Sequence, residues 1–240
     1  MKLTKNTILI TGGATGIGLG LTERFVKEGN NVIVCGRRKE ILAQAKLKFP
    51  TIITKEVDLA QESQRVELFD WISENYPDLN VLINNAGIQQ HISVSDEDFF
   101  EKAKQEIVIN IEAPIHLTAL FIKFEKLDTI MNVTSGLSFV PMVKAPVYSA
   151  TKAFLHSFTS SLGKLVKDRN IEVIEIIPPG LNTDLGGKGL HDQFPPVSEF
   201  ITSIFQQLEE GKTKLTFGMS AFSANASQAE LQVAFDRMNP

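Results

Sequence analysis

The sequence predicts an α/β protein: one doubly wound parallel sheet of about seven strands with helices on both faces. Three observations carry this. Short apolar, β-branched runs alternate with amphipathic stretches along the chain. The first run passes directly into a glycine-rich turn, Thr11-Gly12-Gly13-Ala14-Thr15-Gly16-Ile17-Gly18, followed by a helical pattern. No Pro/Gly/Ser-rich linker and no repeat divides the 240 residues, so a single domain, 1–240, is expected.

Taken in order, the runs at 7–11, 31–35, 52–57, 81–84, 129–134 and 172–177 read as strands. Helices are expected between them near 17–29, 38–48, 61–75, 97–123 and 148–169. Right-handed crossovers then place helices on alternate faces. The stretch 97–123 is long for one helix and contains Pro114, so two helices or a kinked one are expected. The segment 180–196 is rich in Gly and Pro and reads as a functional or mobile loop. It opens a region, 184–210, expected to form a substrate loop and helix. A tail, 218–240, ends in a short helix near 228–236.

Composition limits the function. Net charge is −4, which does not favour nucleic acid or an acidic membrane surface. No apolar run approaches the roughly 20 residues that span a bilayer. The single cysteine, Cys35, lies in the run Val32-Ile33-Val34-Cys35 and reads as a buried strand residue, not a reactive thiol. No Cys/His cluster has metal-ligand spacing, so no metal is expected. The charged start, Met1 to Lys5, does not lead into a signal-peptide core. A cytoplasmic location is expected.

The glycine-rich turn sits where a doubly wound (Rossmann-like) sheet binds a dinucleotide. Glycines permit close backbone approach, and the helix that follows turns its N-terminus toward a pyrophosphate. The second strand ends Gly36-Arg37-Arg38, with no acid for a ribose 2′-hydroxyl. Two guanidiniums there match a 2′-phosphate in charge and fork geometry; as solvated helix-start residues they need no ligand. Asp58-Leu59 follows the third strand, where Asp58 suits either an adenine contact or a helix N-cap. Asn84-Asn85-Ala86-Gly87 follows the fourth strand and lets the chain pass close to a cofactor.

Tyr148-Ser149-Ala150-Thr151-Lys152 places Tyr and Lys on one helix face, one turn apart. A free tyrosine ionises near pH 10, and a nearby ammonium favours the phenolate. Ser135 closes the fifth strand, thirteen residues before Tyr148, where such sheets place their chemistry. Thr134 and Ser138 are the competing hydroxyls.

Together these motifs resemble the short-chain dehydrogenase/reductase family, classical type, over residues 11–152. The pattern TGxxxGxG, the NNAG tetrapeptide, an Asn in the following helix, a Ser thirteen before Tyr, and YxxxK occur in family order. The resemblance implies hydride transfer between a nicotinamide cofactor and a small carbonyl or alcohol, with NADP (NADPH) the expected cofactor and NAD the alternative. It implies catalytic roles for Ser135, Tyr148, Lys152 and Asn110. Tyr148 exchanges the proton, Ser135 orients the substrate oxygen, and Lys152 holds the nicotinamide ribose and lowers the tyrosine pKa. Asn110 positions a water. It assigns the cofactor to Thr11, Gly12, Thr15, Gly16, Ile17, Gly18, Arg37, Arg38, Asp58, Leu59, Asn85, Ala86, Gly87, Tyr148 and Lys152.

The segment Pro178-Pro179-Gly180-Leu181-Asn182-Thr183 resembles the family's loop over the nicotinamide, which adds Pro179, Gly180 and Thr183. Its Gly-to-Thr gap is shorter than usual, which leaves the Thr183 contact in doubt. Residues 184–191 and the ending Arg237-Met238-Asn239 resemble an oxidoreductase branch named for operons that add D-alanine to teichoic acids. A homodimer or homotetramer is expected, with Phe121, Phe154, Leu155 and Phe158 supplying core and interface. His191 reads as a solvated loop histidine. Two other readings share the fold: a non-catalytic dinucleotide-binding regulator, and a sugar-nucleotide epimerase or dehydratase. The second generally carries a larger C-terminal domain than this chain has room for.

Overall fold

A computed structural model describes residues 1–240. Seven parallel strands form one sheet in the order β3-β2-β1-β4-β5-β6-β7. They are β1 (Thr7–Thr11), β2 (Asn31–Gly36), β3 (Ile53–Glu56), β4 (Val81–Asn84), β5 (Thr129–Val133), β6 (Glu172–Ile177) and β7 (Lys214–Thr216). Six coincide with the apolar runs to within a residue or two. Strand order reverses between β1 and β4, which opens a crevice at their carboxyl ends.

Alternation along β1 shows why both faces are covered. Ile8 and Ile10 point into one core with Phe25, Phe200 and Phe205. Leu9, between them, points into the other with Leu68, Leu117, Phe121 and Leu162. Strands buried on both faces have no polar side, so the runs are continuously apolar. The first core lies under α1 (Gly16–Lys27), α2 (Lys39–Lys48) and α7 (Val197–Glu209). The second lies under α3 (Glu62–Asn75), α5 (Ala113–Phe121) and α6 (Pro146–Leu165).

The stretch 97–123 resolves into α4 (Phe99–Ile107), a π-helical turn (Val108–Glu112) and α5. Pro114 stands in the first turn of α5, where a missing N–H costs least. The tail forms two helices, α8 (Met219–Ser223) and α9 (Gln228–Met238). Ser227 and Glu230 cap α9 reciprocally. Asn239 then ties the tail to the segment before α6, accepting from Val143 N (2.8 Å) and donating to Pro141 O (3.0 Å).

The four residues expected to supply core and interface divide by burial. Phe121 and Leu155 are core residues and have no surface to offer. Phe154 is exposed on α6, as are Phe100 and Ile107 on α4. No helix is long and apolar enough to cross a membrane.

Candidate active site

The crevice between β1 and β4 is stitched by side chains. Thr11 Oγ1 accepts from Asn85 N and Ala86 N, both at 3.0 Å, and donates to Ile83 O at 3.3 Å. Asn85 Nδ2 donates back to Thr11 O at 2.8 Å and more weakly to Gly12 O. The two turns therefore move as one piece. Gly12 and Gly16 have φ of +64° and +52°, conformations that other residues rarely adopt. Gly18 has no room for a side chain: a Cβ would lie 2.3 Å from Gly12 O. Thr15 offers α1 no side-chain cap, so the amides near Ile17 face the crevice without one. The result is a bare main-chain cradle at a helix N-terminus.

Arg37 and Arg38 are exposed beyond β2, and Arg38 stands at the start of α2. Asp58 does not cap α3, whose N-cap is Gln61. Its Oδ1 instead accepts Ala60 N at 3.0 Å in a turn of its own, while Leu59 packs into the core. Gly87 sits between two side chains: a Cβ there would meet Asn110 Oδ1 at 3.3 Å and Lys152 Nζ at 3.4 Å. Farther along, the Phe194 ring packs against Gly180, 3.1 Å from where a Cβ would stand. Pro179 precedes it in the turn that leaves β6. The Thr183 methyl lies 3.5 Å from the corresponding point on Gly16. The short Gly-to-Thr gap thus still brings Thr183 over the glycine turn.

Ser135, Tyr148, Lys152 and Asn110 meet beyond the carboxyl end of β5. All four are buried. Ser135 leaves β5 and caps a short 3-10 turn (Gly136–Ser138), its Oγ accepting from Leu137 N at 3.1 Å. Pro146 starts α6, which sets Tyr148 in the first turn and Lys152 one turn later. The Ser135 hydroxyl beside the Tyr148 phenol is what favours its ionisation. The competing hydroxyl of Thr134 is spent on Glu175 Oε1 at 2.8 Å, whereas Ser138 Oγ is buried without a partner.

Burial dominates the electrostatics of Lys152 and Tyr148. Its Nζ donates to Val133 O at 2.8 Å and lies 5.7 Å from the centre of the Tyr148 ring. Burial pushes its pKa down to about 8. Burial also pushes the Tyr148 phenol well above its ordinary value, the Ser135 hydroxyl opposes that, and the charge of Glu106 reinforces it. In the bare protein, desolvation outweighs any help the ammonium gives.

Asn110 lies in the π-helical turn and is fully buried. Its Oδ1 accepts Ile88 N at 2.9 Å, and its Nδ2 donates to Ile88 O (2.9 Å) and Thr151 Oγ1 (3.1 Å). The side chain is thereby committed to clamping the turn after Gly87 onto α6. Thr151, inside the Tyr-Lys motif, donates to Tyr148 O at 2.7 Å and completes that clamp.

Two residues at the site carry no sequence signal. Glu106, one turn before Asn110, is fully buried, though a helix glutamate ordinarily faces water. Glu175, on β6, joins Thr134 to His156 Nδ1, each at 2.8 Å, behind Ser135. His191 is half-buried against Phe194, with Nδ1 buried and unpartnered, and so is not a freely solvated loop residue.

A sheet with this switch point, a bare glycine cradle and a buried Ser-Tyr-Lys-Asn group define a nucleotide-dependent oxidoreductase of the short-chain type. The family model for short chain dehydrogenase matches residues 6–193, and the chain belongs to that family. It is 43% identical to the uncharacterized oxidoreductase DltE of Bacillus subtilis (strain 168), over all of this chain and 98% of that one. Serine 3-dehydrogenase of Rhizobium radiobacter is 27% identical over 74% of this chain and 73% of its own. Among solved structures, a short chain dehydrogenase from Burkholderia cenocepacia J2315 in complex with NADP superposes with a TM-score of 0.85 at 24% identity, covering 99% of each chain. One from Sphingobium yanoikuyae in complex with NADPH gives 0.78 at 22% identity, over 97% of this chain and 92% of that one.

Proposed function

We propose that the chain is an NADP-dependent oxidoreductase that interconverts a small-molecule carbonyl and an alcohol, with Tyr148 as general acid and base. The observation that carries this reading is the meeting of Ser135, Tyr148, Lys152 and Asn110 beside the cradle of Gly12, Gly16 and Gly18. A regulator that only binds a dinucleotide has no use for all four.

The nicotinamide, when bound, supplies or accepts the hydride. The cradle that a Cβ would fill, together with the uncapped start of α1, fits its pyrophosphate. Asp58 and Leu59 would hold the adenine end of the cofactor, Asn85, Ala86 and Gly87 would bind its ribose, and Pro179, Gly180 and Thr183 would close over the nicotinamide end. The exposed Arg37 and Arg38 favour a 2′-phosphate, hence NADP over NAD. Structural relatives in complex with NADP and NADPH support the cofactor class.

In reduction, Ser135 donates a hydrogen bond to the substrate oxygen, and Tyr148 gives its proton to that oxygen as the hydride reaches carbon. In oxidation the same proton returns. Lys152, whose Nζ donates to Val133 O, would also hold the cofactor ribose. Both side-chain N–H groups of Asn110 are spent, so a relay water is held through an acceptor, the second lone pair of Oδ1 or the main-chain carbonyl. Phe100 and Ile107 on α4 and Phe154 on α6 are exposed apolar residues that suit the surface of a homodimer or homotetramer.

The test is Tyr148→Phe, which keeps the buried ring and removes the proton. NADPH binding, followed by cofactor fluorescence, should be retained. Turnover of any accepted carbonyl should fall by about 10²–10⁴-fold or more. Wild-type turnover in the variant would refute the mechanism.

A further inference from the structure

Arg65 stands in the first turn of α3 and is buried, yet no carboxylate pairs with it. A buried charge is costly unless its donors are satisfied. Here two uncharged acceptors satisfy them. Nη1 donates to Leu59 O at 2.6 Å, and Nε donates to His116 Nδ1 on α5 at 3.0 Å. A guanidinium nitrogen only donates, so Nδ1 is the accepting nitrogen of the imidazole. Apolar contact already fastens α3 to α5, with the Phe69 and Phe121 rings 5.5 Å apart. The cation must therefore be explained by what else it holds.

It holds the turn that leaves β3. Gln64, its neighbour on α3, accepts from Asp58 N at 2.7 Å. Asp58 Oδ1 accepts Ala60 N, and Asp58 O accepts Gln61 N, both at 3.0 Å. Arg65 takes the Leu59 carbonyl. The Leu59 N–H donates to nothing in the protein, and the second Asp58 carboxylate oxygen remains for a ligand. One donor and one acceptor, adjacent in the chain, match the edge of adenine, where N1 accepts and the 6-amino group donates. We propose that Arg65 is a positioning residue for cofactor recognition: backed by His116, it grips the Leu59 carbonyl and fixes the turn that reads the adenine edge. The inference rests on the reading of Asp58 and Leu59 as the adenine end of the site.

The test compares NADPH with reduced nicotinamide hypoxanthine dinucleotide phosphate, whose base presents the reverse pattern, a donor at N1 and an acceptor at position 6. Both are titrated by nicotinamide fluorescence against the wild type, Arg65→Met, His116→Leu and His116→Asn, with melting curves to show that each is folded. The wild type should prefer NADPH by roughly 10-fold or more, the loss of a hydrogen bond to a charged group. Arg65→Met keeps an apolar stem and removes both bonds, so the preference should fall toward parity. His116→Leu removes the backing acceptor and should move the same way. His116→Asn puts an amide oxygen in the place of Nδ1 and should restore the preference. An Arg65→Met protein that loses affinity for both cofactors by the same factor keeps the preference and overturns the inference, because that marks a structural residue. Where Arg65→Met does not fold, His116→Leu decides, and a preference equal to wild type overturns the inference in the same way. A wild type that binds both cofactors alike removes the adenine reading itself, and the inference falls with it.

Discussion

Replacing Glu106 with glutamine should make the folded chain more stable, and only above a definite pH. Burial pushes the Glu106 pKa up from 4.5 to about 7, opposed by the bond from Gln90 N. That displacement is equivalent to about 3 kcal/mol between the folded and unfolded states. The sign runs against the usual carboxylate case. Below pH 4.5 both states hold the proton and the residue costs nothing. Between 4.5 and about 7 the unfolded chain releases it while the folded chain keeps it, so stability falls as pH rises. Above about 7 the folded state bears the full cost. Glutamine is close in shape to the protonated acid and accepts the same bond, so it removes the titration without opening a cavity. Urea denaturation of both proteins without cofactor gives the difference directly. It should be below about 1 kcal/mol at pH 5 and grow to about 3 kcal/mol at pH 8.5. In thermal melts the same difference corresponds to roughly 6–10 °C at the higher pH. Stability curves that run parallel from pH 5 to 8.5 would refute the argument, because a pH-independent gain reflects packing and not a buried charge.

Other expectations test separate parts of the site. Arg37→Ala should weaken NADPH by roughly 10–150-fold and leave NADH nearly unchanged, since a charge-assisted phosphate bond is worth about 1.5–3 kcal/mol; equal losses in parallel fluorescence titrations would remove the 2′-phosphate assignment. Gly18→Ala puts a methyl carbon 2.3 Å from Gly12 O, a backbone atom that cannot swing away. It should cost about 1–3 kcal/mol of stability and most of the NADPH affinity, and a variant that melts and binds like wild type would contradict the cradle. Cys35 is fully buried with its thiol pushed up to about 12, so it should resist a thiol reagent at pH 8 until the protein is denatured. Phe154→Glu should shift sedimentation from oligomer to monomer, and a wild-type protein that sediments as monomer at micromolar concentration would dispose of the α4–α6 interface.

The legible parts of the fold were those where one residue type answers one physical demand. Strands buried on both faces are rich in apolar, β-branched residues, so β1, β4 and β6 stand at 7–11, 81–84 and 172–177 as read, even with the paired Glu175 inside β6. The cradle was legible because glycine is favoured at the positive φ of Gly12 and is the residue that fits the contact at Gly18. β7 is three residues long, and only its middle residue, Leu215, is buried, too short for any alternation to register. For Asp58 only the capping alternative is removed: capping a helix and forming a side-chain turn make the same request of an aspartate. Chain geometry, not residue type, decided between them.

Asn110 and Glu106 were harder for a related reason: their meaning lies in what faces them, not in their spacing. Glu106 projects from the last turn of α4 and Asn110 from the π-helical turn that follows, and both reach the turn after Gly87, one at Gln90 and one at Ile88. Between them the backbone enters a π-helical turn, which adds a residue to the turn and changes the direction in which later side chains leave the axis. A reading by helical period assumes a constant phase and loses the face at that point. The turn also accounts for the stretch 97–123, whose length suggested a break that Pro114 alone does not make. With the helix re-phased, two successive turns hold the floor of the site through two side chains. A neutral residue at 106 would keep the floor in place, so the acid at that position is the feature that the clamp leaves unexplained and the urea comparison of wild type with Glu106→Gln tests.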